Sequence, residues 1–196
     1  MKRLTGLAVL GLLLLVVASP SHATPYTFTA TLNGNNENPP VPTSGIGSAT
    51  VILDPSAHLL FVNVTFSGLT GPTTAAHIHC CTDPPSNIGV ATMTPYFTNF
   101  PIGVTSGTYN RVFDTQLSPT FNSSFISSNG GTPASAEVAL LAGLQTGRAY
   151  FNIHTTFRPG GEIRGFLHPV PEPGTLGLLL LGLGGCAVNR ARRAFS

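Results

Sequence analysis

The chain has 196 residues, of which only 8% are charged, nine Lys/Arg against seven Asp/Glu, and Gly plus Pro make up about a fifth of it. An ordinary soluble domain carries roughly 25% charged residues, so this composition supplies neither a basic face for several phosphates nor a highly charged disordered tail. Nucleic acid is thereby excluded as a partner, and the length fits one full-sized domain.

Residues 1–23 have the layout of a secretory signal peptide: Lys2 and Arg3, an apolar stretch at 4–17, then Ser21-His22-Ala23 as the small-x-small cleavage site. The apolar stretch falls short of the roughly 20 residues that a membrane helix needs. Signal peptidase is therefore expected to release a chain beginning near Thr24, outside the cytoplasmic membrane. Five of the basic residues (Lys2, Arg3, Arg190, Arg192 and Arg193) sit at the two ends; between Thr24 and Val170 four Arg meet six Asp/Glu, so the exported part is mildly acidic.

From Tyr26 the pattern alternates: Tyr26, Phe28, Ala30 and Leu32 are interleaved with Thr27, Thr29 and Thr31, which predicts a half-buried strand. Asn-Gly, Asn-Pro and Val-Pro steps make 33–42 turn-forming. Residues 46–53 and 59–66 predict a hairpin with Leu60, Val62, Val64 and Phe66 on one face. Further strands are expected at 75–79, 89–93, 107–113, 148–155 and 161–168. One short helix is expected at 133–142, with Thr132 as N-cap, Pro133 at its first position and Gly143 closing it. Its buried face is expected to carry Ala134, Val138 and Leu141. Short strands separated by Gly/Pro turns predict an all-β domain over 24–169, a β-sandwich or Greek-key barrel.

Two histidine motifs stand out, His77-Ile78-His79 and Asn152-Ile153-His154. Strand parity sends Ala76 and Ile78 one way and His77 and His79 the other. It likewise sends Ala149, Phe151 and Ile153 to the core and Tyr150, Asn152 and His154 away from it. Glu162 and Arg164 flank the inward-facing Ile163 on the polar side. Neighbouring strands would then collect His77, His79, His154, Asn152, Glu162 and Arg164 on one outward sheet face.

The blocks 76–79 and 149–155, followed by Pro159-Gly160-Gly161-Glu162-Ile163-Arg164-Gly165, resemble the CHRD domain, first defined as a repeat in chordin and also found in secreted bacterial proteins. The resemblance runs from about Tyr26 to Leu167. It implies an immunoglobulin-like β-sandwich in an extracytoplasmic setting, and no settled activity.

Neutral imidazoles suit zinc or copper, and strands fix ligand positions well, so His77, His79 and His154 are candidate metal ligands. The competing reading is a polar network that pins strands, with the histidines paired to Glu162 or to backbone carbonyls. A fainter likeness to copper/zinc superoxide dismutase fails, because only five of the six histidines lie beyond the leader and His168 sits beside the tail. Cys80 and Cys81 are the only cysteines between the leader and the tail. In an oxidising compartment they are candidates for a vicinal disulfide, for free or partner-linked thiols, or for metal thiolates.

The C-terminal residues 170–196 form a second address. Pro171-Glu172-Pro173 precedes an apolar run at 174–188 and a basic tail at 189–196, which the positive-inside rule would keep cytoplasmic. This order resembles the bacterial PEP-CTERM sorting signal. The resemblance implies a membrane-spanning tail helix, cleavage by an exosortase-type enzyme near the Pro-Glu-Pro motif, transient anchoring in the cytoplasmic membrane, and release to the cell surface or matrix. The expected function is an exported, non-catalytic binding or structural protein with an extracellular polysaccharide or surface protein as partner. The competing class is a copper- or zinc-binding protein or metal-dependent enzyme built on the three histidines.

Overall fold

The computed structural model describes residues 25–171. The expected leader at 1–23 and, within the tail, Glu172, Pro173, the apolar helix at 174–188 and the basic run at 189–196 lie outside the described residues. Among the described residues no helix is long and apolar enough to cross a membrane.

Successive side chains leave a pleated backbone on opposite faces, so the alternating segments become strands with one apolar side. β1 (Tyr26–Asn33), β2 (Ile46–Asp54) and β3 (Leu59–Ser67) form an antiparallel meander that buries Phe28, Leu32, Val51, Val62 and Val64 completely. Asp54 shapes the β2–β3 turn, its Oδ1 accepting from the backbone N–H groups of Ser56 at 2.9 Å and Ala57 at 3.0 Å. β4 (Thr73–Cys80) crosses to the opposite edge, and a long connection returns to β5 (Gly107–Asp114) beside β3. β6 (Ala149–Thr155) and β7 (Ile163–Phe166) follow, and the short β8 (His168–Pro169) pairs with β1.

The domain is mostly β and antiparallel, with few helices, as the strand pattern predicts. Its strands do not divide into two separate sheets. They form one eight-stranded sheet in the order β4-β6-β7-β1-β2-β3-β5, with β8 off this path. β7 meets β1 through a single residue pair, Asn33 with Arg164. The sheet is curled into a half-barrel, and residues from both flanks share one core with Ile78, Phe97, Phe151 and Leu140. The segment at 95–128 fills that core, its Phe97 lying 5.9 Å from Phe151 and 5.4 Å from Phe113 between ring centres.

Four local expectations are corrected. Residues 89–93 make only isolated bridges, Val90 with His79 and Thr92 with Phe121. The segment pairs antiparallel with the end of β4 at that one bridge only, and the N–H groups of both Ala91 and Thr92 reach the Ile78 carbonyl. Two α-helices are present, α1 (Ser123–Ser128) and α2 (Pro133–Gln145). Thr132 caps α2 and Pro133 opens it, but Gly143 does not close it. The helix runs on to Gln145, and Gly147, at φ +67°, turns the chain away. The buried face of α2 carries Ala136, Glu137, Leu140, Gly143 and Leu144, while Val138 is 66% exposed. Gly143 is needed for proximity: a Cβ there would collide with the sulfurs of Cys80 and Cys81.

Candidate functional site

β4 and β6 pair so that His77 lies opposite Asn152, His79 opposite Tyr150 and Ala75 opposite His154; β7 then places Arg164 opposite Asn152. Parity acts as the sequence implies. Ala76, Ile78, Phe151, Ile153 and Ile163 enter the core, and His77, His79, Tyr150, Asn152, His154 and Arg164 share the other face. That face is not outward. His77, His79, Asn152 and Arg164 are buried and His154 is half-buried, because two loops roof them.

Arg164 holds the roof. Its Nε donates to the Asn36 carbonyl at 2.5 Å, one terminal nitrogen to Asn87 Oδ1 at 2.5 Å, and the other to the Pro85 carbonyl at 2.7 Å. The guanidinium also lies 4.7 Å over the Tyr150 ring, a cation–π contact in a desolvated setting. Asn87 in turn donates to the Asn38 carbonyl at 2.7 Å, tying one roof loop to the other.

Beneath this roof one ring nitrogen from each of His77, His79 and His154 lies within 4.8 Å of the others. Each ring spends its second nitrogen on a backbone carbonyl. His77 Nε2 is 2.7 Å from Pro95 O, His79 Nδ1 is 2.7 Å from Ile88 O, and His154 Nδ1 is 2.9 Å from Pro159 O. A carbonyl only accepts, so each of these nitrogens carries the hydrogen and the tautomer of every ring is fixed. Burial drives His77 and His79 down to about 4 and lowers His154 as well, so all three are neutral at pH 7. His79 stacks on Tyr150 at 4.7 Å, and burial raises the Tyr150 hydroxyl above the ordinary phenol range.

Comparison with known families matches residues 28–167 to the CHRD domain and residues 169–193 to the PEP-CTERM protein-sorting motif. The chain belongs to the CHRD domain family. No curated protein and no solved structure matches it. The sorting motif begins two residues past the matched domain and marks an exported chain that an exosortase processes. Of the Pro-Glu-Pro residues, Pro171 is exposed at the end of the described chain.

Within the CHRD domain Glu162 stands apart from the imidazoles, contrary to the shared polar face expected of it. Its carboxylate accepts from Thr43 Oγ1 at 2.5 Å, Thr70 N at 2.6 Å, Gly71 N at 3.2 Å and Thr155 Oγ1 at 2.6 Å. Burial works to raise its pKa, but these four bonds hold it below the usual carboxylate range. It lies outside β7, beyond the Gly161 bend at φ +130°, so strand parity does not carry to it. The Cys80 and Cys81 sulfurs are bonded to each other against α2.

Strand parity gives no hint of Glu37. It is buried, its Oε2 lies 3.7 Å from Arg164 Nε, and burial lifts its pKa to about 7 against the pull of that guanidinium. The sequence carries one clue to it: no Lys or Arg occurs between Arg3 and Arg111, so a carboxylate in that stretch must find its cation far along the chain. A second cluster that the motifs do not reveal joins the β2–β3 turn to α2. There Glu137 receives Thr115 Oγ1 and sits 3.1 Å from His58 Nδ1.

Proposed function

We propose that this CHRD protein is an exported component of the cell surface or extracellular matrix, processed by signal peptidase and an exosortase, whose domain is a non-catalytic binding and structural module. The order of the two matches carries the reading: a folded domain at 28–167 passes directly into a sorting motif at 169–193. The polar residues agree with a structural role. Arg164 and Glu162 spend their hydrogen-bonding capacity on loop carbonyls, loop N–H groups and hydroxyls, which fixes loops on a sheet instead of presenting reactive groups to a substrate. A groove of about 990 Å³ beside the roof is lined by Thr29, Thr31, Asn36, Ser48 and Thr50, with Pro85 at its side. Hydroxyls and amides of this kind suit a neutral extracellular polysaccharide.

The test is to express the full chain in an exosortase-positive bacterium and in its exosortase deletion. Tail-truncated protein outside the first strain, co-sedimenting with its matrix polysaccharide, and full-length membrane-bound protein in the second are expected. Full-length protein in both strains would overturn the processing claim, and processed protein that ignores the polysaccharide would overturn the binding claim.

A further inference from the structure

The carbonyl side of each imidazole has structural work to do; the opposite side has none. With hydrogens committed to Pro95, Ile88 and Pro159, the remaining nitrogens are His77 Nδ1, His79 Nε2 and His154 Nε2, each a bare lone pair. His77 Nδ1 and His154 Nε2 face each other at 3.3 Å. Two acceptors at that distance repel unless a cation lies between them. His79 Nε2 is buried with no hydrogen-bond partner among the described residues. Leaving such an atom unpaired forfeits the hydration it had in the unfolded chain with nothing in return.

We propose that His77, His79 and His154 bind one transition-metal ion, zinc(II) or copper(I), through His77 Nδ1, His79 Nε2 and His154 Nε2. Imidazole nitrogens bind zinc at about 2.0–2.1 Å, which puts two ligands of one tetrahedral ion roughly 3.3–3.4 Å apart. The pair His77 Nδ1 and His154 Nε2 already has that spacing, at 3.3 Å. Ring rotation on capture draws in the rest of the cluster, whose spread is at most 4.8 Å. The outer shell is in place as well, since metal-binding histidines characteristically donate their second N–H to a carbonyl or carboxylate. β4 and β6 hold two ligands on one strand and the third on its neighbour, and half-buried His154 at the roof's margin gives the ion a way in. This site is independent of the export reading: an exported protein need not bind metal, and a metal site does not require the sorting tail.

The experiment uses the full chain, stripped with a chelator and titrated separately with Zn2+ and with Cu+ against a competing chromophoric chelator. One equivalent of one of these metals per chain, with a Tm that rises as free metal rises, is expected. His79→Gln and His154→Gln should each weaken binding at least about tenfold, and the exposed His168→Ala should not change it. X-ray absorption on the loaded wild-type chain should show a nitrogen shell with imidazole scattering, a readout that needs no variant to fold. Failure of both metals to bind, equal affinity in the glutamine variants, or a metal shell without imidazole scattering would each overturn the proposal. Preference for one metal over the other decides between the two ions.

Discussion

Glu37 meets Arg164 under the roof at 3.7 Å, and the carboxylate's other oxygen, Oε1, has no hydrogen-bond partner among the described residues. A lone guanidinium at that distance does not offset desolvation, which is why the group sits near 7 instead of 4.5. At Glu37 the folded chain therefore holds one more proton than the unfolded chain between those two values. The contribution of this one carboxyl to stability is fully present below about pH 4.5 and is lost as pH rises to about 7. The loss is on the order of 3 kcal/mol, since each pH unit between the two values contributes roughly 1.4 kcal/mol. The Arg164 guanidinium is the charge that acts on it, and Tyr150, raised by burial and in turn by Glu37, is a phenol pushed further above this window. Glu37→Gln should remove this pH dependence: urea midpoints measured from pH 4.5 to 7 should show the variant gaining on wild type as pH rises. Parallel curves for the two proteins would refute the assignment.

At the scale of the element, α2 shows how a helix can mislead. Its sequence Pro-Ala-Ser-Ala-Glu-Val-Ala-Leu-Leu-Ala-Gly-Leu-Gln is apolar almost all round, so periodicity alone does not choose a face. Glu137, the one carboxylate, marks solvent in an ordinary helix; here it is buried against His58 and Thr115 and turns the buried stripe toward Leu140 and Leu144. The existence of α2, its N-cap and the strands of the meander are legible in the sequence, because capping residues and period-two alternation are local signals. Its buried face is not, because the partner of Glu137 comes from a turn 79 residues away. Leu140→Ala should therefore cost about 2–5 kcal/mol, while Val138→Lys should stay within roughly 0.5 kcal/mol of wild type. Chemical denaturation of the two variants decides the point, and the reverse ranking would place the helix the other way round.

Over the whole molecule, the same division between local and distant signals explains the candidate site. Parity gathers His77, His79 and His154 onto one face from sequence alone, since period two is exact within a strand. The roof is invisible to parity because it depends on bonds from Arg164 to Asn36, 128 residues away, and to Asn87 and Pro85, 77 and 79 residues away. Arg164, which makes the single register pair of β7 with β1, is also the clamp of the loops. Replacing a buried charge whose partners remain typically costs about 3–5 kcal/mol, and here much of the effect should be confined to the roof. In Arg164→Met, hydrogen exchange should accelerate first at Ile88, whose N–H donates to Tyr150 Oη at 3.2 Å, and at Val41, whose N–H reaches the Gly34 carbonyl at 2.9 Å. Amides in the β2–β3 ladder should keep their protection until the domain unfolds globally, because their partners do not touch the roof. Uniform acceleration across roof and ladder would mean that Arg164 stabilises the sheet as a whole, not the loops that cover its histidines.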